Sequence, residues 1–176
     1  FEGGQRVPFI MNWPGHVPAG KTYNGLTSTM DIFPTSFKLG GGIKTPRPLD
    51  GVDLMPFLTG TAAAIPHQNL FWKKLEGSAV RSGNWKMIQT QGLPTMLYNL
   101  QTDLSEYKNI AEQHPEKVKE LQTLYRGWDK QTVPAQWGEA ERYVEVRRND
   151  YIRFRDSGRP LKLNSPRKKK SKKPKK

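Results

Sequence analysis

The chain of 176 residues carries 29 Lys and Arg against 16 Asp and Glu, a formal charge of +13, and no cysteine. A chain of this length makes one or two small domains; without cysteine it has no disulfide framework, no thiolate-ligated zinc or iron–sulfur centre and no thiol nucleophile. It also lacks any apolar run near the roughly 20 residues that span a bilayer, and its 16 Gly and 14 Pro favour turns over long helices.

The chain starts on Phe1 rather than Met, as expected of a processed or truncated amino terminus. Residues 1–15, FEGGQRVPFIMNWPG, read as a glycine turn at Gly3-Gly4 running into a short buried strand. Val7, Phe9, Ile10, Met11 and Trp13 supply its apolar run and Pro14-Gly15 ends it. Pro8 confines that strand to an edge or to its first residues. Thr27 and Ser28 offer helix caps ahead of Met30, Ile32, Phe33, Phe37 and Leu39, which keep a 3–4 spacing up to Gly40–Gly42. Pro34 fits only a first turn, so this helix begins near Asp31 or Ile32. LDGVDLMPFLTG (49–60) predicts a helical turn capped by Asp53 and closed by Gly60.

From about residue 68 the pattern changes to short β-like runs at Leu70–Trp72, Ser78–Arg81, Lys86–Gln89 and Met96–Leu100, with Ser82-Gly83-Asn84 as a hairpin turn. They predict a meander of three or four antiparallel strands. Pro115 then opens a helix whose Val118, Leu121, Leu124, Tyr125 and Trp128 share one face. That face should lie across the sheet, as a lone helix of this length is marginal. Residues 139–156 mix helix-like spacing (Ala140, Tyr143, Val144) with alternation (Tyr151–Phe154), leaving helix and strand both open. Residues 159–176, RPLKLNSPRKKKSKKPKK, hold 10 basic residues and no acid, which leaves 19 basic and 16 acidic groups, a net +3, on the rest. Such a self-repelling run predicts a disordered tail.

Residue chemistry alone assembles no active site. His16, His67 and His114 are far apart in sequence and fit surface or capping roles better than metal ligation. Asp50 and Asp53 could pair as acid and base, but turn formation and capping account for both. No phosphate-binding glycine loop occurs, and Trp13, Trp72, Trp85, Trp128 and Trp137 fall mostly within apolar patterns that predict core packing.

The order of segments nevertheless resembles a known family. FEGGQRVPFIMNWPGHVPAG (1–20), STMDIFPTSFKLGG (28–41), LDGVDLMPFLTG (49–60), AVRSGNWKMI (79–88) and LYNLQTDLSEYKNIAEQHPEKVKEL (97–121) are similar, in sequence and order, to the carboxy-terminal part of type I sulfatases, over about residues 1–128. The resemblance implies a mixed α/β and α+β chain. Residues 1–65 would close the large α/β domain of an alkaline-phosphatase-like fold, and 66–130 would form a small antiparallel sheet packed by one helix. Residues 131–158 would be an extension of open structure and 159–176 the basic tail.

The resemblance also implies a chemistry: a formylglycine made from Cys or Ser in a C/S-x-P-x-R motif attacks the sulfate, a calcium ion neutralises its oxygens, and His and Lys assist the leaving alcohol. This chain departs from that pattern. It has no cysteine, Ser165-Pro166-Arg167 lacks the motif's spacing, and the family's metal-binding Asp cluster is missing. The family's lysine ahead of the EGG-x-R-x-P segment would fall before Phe1. Nucleophile, calcium ligands and that lysine are thus expected upstream, with no catalytic or metal-binding residue within the chain. Glu2, Gly3, Gly4 and Arg6 remain as near-site residues, best read as a glycine turn in which Glu2 pairs with Arg6.

The implied function is sulfate-ester hydrolysis, with a sulfated small molecule or glycan as substrate and the rest of the sulfatase chain as partner, in the periplasm or outside the cell; the isolated chain is expected to be inactive. The rival is a non-catalytic basic module that grips nucleic acid or an anionic polysaccharide through its tail. The near-neutral body, with aromatics in core patterns, argues against nucleic acid.

Overall fold

The computed structural model describes residues 1–136, 138 and 141–157. Phe1–Gly138 pack as one compact unit, and a second unit begins at Glu139. The basic tail, expected to be disordered, lies outside the described residues, as does Trp137. In the second unit Glu141–Ser157 is helical (α5), which decides between the two patterns that overlapped there. A helix satisfies its backbone internally, whereas a strand needs a neighbour to pair with.

The first unit is built on four antiparallel strands, β1 (Asn69–Lys74), β2 (Gly77–Ser82), β3 (Trp85–Thr90) and β4 (Met96–Asn99), in the order β1-β2-β3-β4. Gly83, at φ +54°, makes the tight β2–β3 turn that the sequence predicted. The register aligns Phe71, Val80, Met87 and Leu97 in one row across the sheet. That row faces helix α4 (Pro115–Asp129), whose fully buried Leu121 completes the core with Val80, Met87 and Leu97. Val118, Leu124 and Tyr125 pack around it, and Trp128 stacks on Phe71 with ring centroids 5.0 Å apart. The expected helix across the sheet is thus present, with Pro115 in its first turn and His114 at its N-cap position, its side chain making no capping bond.

Lys73 of β1 ties the far end of α4 through Asp129. The hydrogen bond from Lys73 holds the Asp129 carboxyl below its usual range. A depressed folded pKa stabilises fully above the unfolded value near about 4 and ceases to do so as pH falls through the folded value. Asp129→Asn should therefore lower the urea midpoint at pH 7, and the gap from the unmodified chain should close as pH falls below the ordinary carboxylate range. A gap that stays constant with pH would contradict this role.

Residues 1–65 are mostly loop, with α1 (Glu2–Gln5), α2 (Ile32–Leu39) and α3 (Met55–Leu58). The start of α2 follows expectation. Ser28 and Asp31 form a capping box on the 3-10 turn Thr29–Asp31 that leads into it, and Pro34 sits in the first turn. The carboxylate of Asp53 accepts from the Met55 N–H, 3.0 Å, at the head of α3. The strand expected over 7–13 does not form. Every strand ladder among the described residues lies within β1–β4, so this apolar run has no pairing edge, and Val7, Phe9 and Ile10 are exposed, Ile10 by 87%.

Candidate functional site

Alternation along β2 and β3 puts Arg81 and Lys86 opposite each other, on the sheet face away from α4. That face is buried too: Ala79, Ile88, Met96 and Tyr98 are all withdrawn from solvent. Two carboxylates from remote segments meet Lys86 there. Its ammonium, fully buried, lies 2.8 Å from Glu2 Oε1 and 3.0 Å from Glu106 Oε1, and 5.8 Å from the centroid of the Trp72 ring. Arg81 donates to the other Glu2 oxygen, Oε2, at 3.1 Å. The Glu2 backbone N–H donates to Glu106 Oε2. Two acids thus meet two bases in a nearly dry cluster, close enough to the Phe1 ammonium for Lys86, Glu106 and Glu2 to act on it, and buried charge requires such pairing.

Glu106 reaches this position from a left-handed backbone, φ +57°, unusual for a residue with a side chain. The loop around it enforces that geometry. Asp103 accepts from the N–H groups of Tyr107 and Lys108. Asn109 accepts from those of Leu97 and Ala111 and donates to the Thr95 carbonyl.

The four near-site residues read from sequence separate here. Glu2 is buried, whereas Gly3, Gly4 and Arg6 are exposed. The expected Glu2–Arg6 pairing gives way to Glu2 with Lys86 and Arg81, because the α1 turn directs Glu2 onto the sheet and leaves Arg6 in solvent. Lys86, Arg81 and Glu106 went unrecognised as site residues. A lysine between Trp85 and Met87 reads as the solvent side of an alternating strand, and only a cover over both faces reverses that.

A second polar hub holds the segment before the sheet. Asp31, fully buried, accepts from Ser28 N–H at 2.7 Å, from Val52 N–H at 2.9 Å and lies 2.7 Å from His67 Nε2. His67 therefore has a structural partner. His114 packs edge-on against Trp85, and His16 stacks on Trp13 with ring centroids 3.8 Å apart. Asp50 is exposed. The described residues contain no group of three or more His, Asp and Glu able to hold a metal ion, so these side chains do not fit a calcium site. At the other end of the sheet an open cleft is lined by Lys73, Ser78, Gln89, Thr95 and Tyr125. Burial pushes the Tyr125 hydroxyl above its ordinary range, with Asp129 adding to the shift, and it hydrogen-bonds to Ser78. At neutral pH it is therefore uncharged.

The family described as N-sulphoglucosamine sulphohydrolase, C-terminal, matches residues 1–129. Arylsulfatase A of Bos taurus is 32% identical over 163 residues, covering 73% of this chain and 32% of that protein. Arylsulfatase D of Homo sapiens is 47% identical over 72 residues, 40% of this chain and 12% of that protein. A solved Bacteroides thetaiotaomicron structure, described under the metabolism of multiple glycosaminoglycans, superposes with a TM-score of 0.59 at 30% identity, over 70% of this chain and 29% of its own. The chain thus spans between about one eighth and one third of these relatives.

Proposed function

Because the chain belongs to the sulfatases, as its match to the N-sulphoglucosamine sulphohydrolase C-terminal family over residues 1–129 shows, we propose that it is the closing part of an enzyme that hydrolyses sulfate esters. Its fold is that of the carboxy-terminal portion of the alkaline-phosphatase-like sulfatases. In this reading the nucleophile, a formylglycine, and the calcium that supports it belong to the polypeptide ahead of Phe1. Residues 1–65 complete the large α/β domain, and 66–130 form the small subdomain. The substrate is a sulfated small molecule or glycan, and the enzyme works in the periplasm or outside the cell. Among the described residues no helix is long and apolar enough to cross a membrane.

The observation that carries the division of labour is the uncovered apolar surface of the amino-terminal half. Val7, Phe9, Ile10, Ile32, Phe33 and Ile43 are exposed, an amount of bare hydrocarbon that calls for a covering partner. The partner is the preceding part of the same sulfatase, which would also supply the missing edge for residues 7–13. With an aryl sulfate and calcium, the 176-residue chain should show no turnover, while the protein extended upstream through a C/S-x-P-x-R motif should hydrolyse the ester. Turnover by the short chain would overturn the division of labour; an extended protein inactive on every sulfate ester tried would overturn the function. The short chain should also bind a hydrophobic dye that the extended protein does not.

A further inference from the structure

Two dipeptides of the chain are able to close a five-membered imide on themselves, Asn24-Gly25 and Asp50-Gly51; every other asparagine is followed by a residue with a side chain. In that reaction the backbone nitrogen of the second residue attacks the side-chain carbonyl carbon of the first, and glycine admits the approach because it has no Cβ and a permissive backbone. The fold treats the two differently. Asp50 is exposed, but Gly51 is buried with its backbone against the Met30 carbonyl, and the next N–H, that of Val52, is held by the Asp31 carboxylate. An imide cannot close there without opening this seam, and an ionised carboxylate is a poor electrophile. Asn24 is exposed, outside any helix or strand. Neither its side chain nor the Gly25 N–H makes a hydrogen bond among the described residues. Gly25 has a reason to be glycine that is separate from reactivity, since a Cβ there would overlap the Tyr23 ring.

We infer that Asn24 is a site of spontaneous modification, the residue at which this chain deamidates while folded. The Gly25 nitrogen bonds to Asn24 Cγ, the Cγ–Nδ2 bond breaks, and ammonia leaves with the proton that the Gly25 N–H gives up. Water then opens the imide at either of its carbonyls, leaving aspartate at position 24 or, where the main chain comes to run through Cγ, isoaspartate. Each event adds one carboxylate and lowers the net charge of +13 by one. The isoaspartyl product also lengthens the backbone by one atom, four residues ahead of Ser28, whose side chain caps the Thr29–Asp31 turn. The inference concerns the chain's own chemistry and does not depend on the sulfate-ester reading.

The folded 176-residue chain, held for days in mildly alkaline buffer and then digested with trypsin, tests it. The 22–38 peptide should gain one mass unit and in part become a substrate for protein isoaspartyl methyltransferase, while the 45–73 peptide, which contains Asp50-Gly51, stays unlabelled. In urea Asp50 should begin to label, whereas the rate at Asn24 should change by less than about threefold, because no folded contact guards it. Asn24→Gln, whose longer side chain would have to close a six-membered ring, should abolish the mass gain and leave Tm unchanged. A folded chain whose Asn24 stays intact, a rate there that rises far more than threefold in urea, or folded-state labelling of Asp50 as fast as that of position 24 would each overturn the inference.

Discussion

Lys86→Met should lower the unfolding free energy of the 176-residue chain by about 3–5 kcal/mol, the range for removing one partner of a buried charge cluster. Methionine matches the length of the lysine stem, so lost volume contributes little. The damage comes from what stays behind. Glu2 and Glu106, both withdrawn from solvent, lose the ammonium that lay 2.8 Å and 3.0 Å from their oxygens, and Arg81 reaches Glu2 alone. Two carboxylates then face each other in a dry pocket without the ammonium that joined them. Adding Glu106→Gln to Lys86→Met removes one of the stranded charges, so the double variant should be less destabilised than the two single losses combined, with a coupling of about 1–3 kcal/mol in urea unfolding. Strict additivity, or a Lys86→Met chain within about 1 kcal/mol of the unmodified one, would show that Lys86 is not the cluster's counterion.

The meander and α4 were legible because each hides one side of its own pattern. The Phe71–Val80–Met87–Leu97 row and the Val118–Leu121–Tyr125 stripe complete each other, and a period of 2 meeting a period of 3.6 is visible in the residues themselves. The charge cluster around Lys86 was not legible. Glu2 and Lys86 are 84 positions apart, and no local spacing relates them. Alternation assigned Lys86 to the face away from α4, and solvent is the default reading of such a face unless something covers it. Glu106 owes its inward direction to a left-handed backbone, whose only local sign is the Asp103 and Asn109 bonding around it. From sequence alone His67 fits a surface or capping role for the same reason, since its partner Asp31 lies 36 positions away. The run at 7–13 shows the converse failure. Its apolar content is real, but hydrophobicity does not say whether the edge that pairs with it lies within the same stretch of chain.

Asp31→Ala should destabilise the chain by about 2–4 kcal/mol, because it orphans two backbone donors at once, each costing about 1–3 kcal/mol where water reaches it poorly. Ser28 N–H donates to Oδ2 and Val52 N–H to Oδ1. The first contact closes the capping box that starts α2; the second draws the 51–54 segment onto that start. The two backbones are pressed together there, since a Cβ on Gly51 would lie 2.1 Å from the Met30 carbonyl oxygen. Thr35 continues the seam by donating its hydroxyl to the Asp31 carbonyl at 2.6 Å and accepting from Leu54 N–H at 2.9 Å. Asn is no remedy at position 31. Its NH2 must replace one oxygen, and either choice sets it against a backbone N–H, donor to donor, so Asp31→Asn should cost nearly as much as Ala. His67→Ala removes a partner but strands no backbone group, and should cost only about 0.5–1.5 kcal/mol. Urea midpoints at unchanged m-value measure all three. Asp31→Asn within about 0.5 kcal/mol of the unmodified chain, or His67→Ala costing more than Asp31→Ala, would place the weight of this hub on the histidine and not on the two backbone N–H groups.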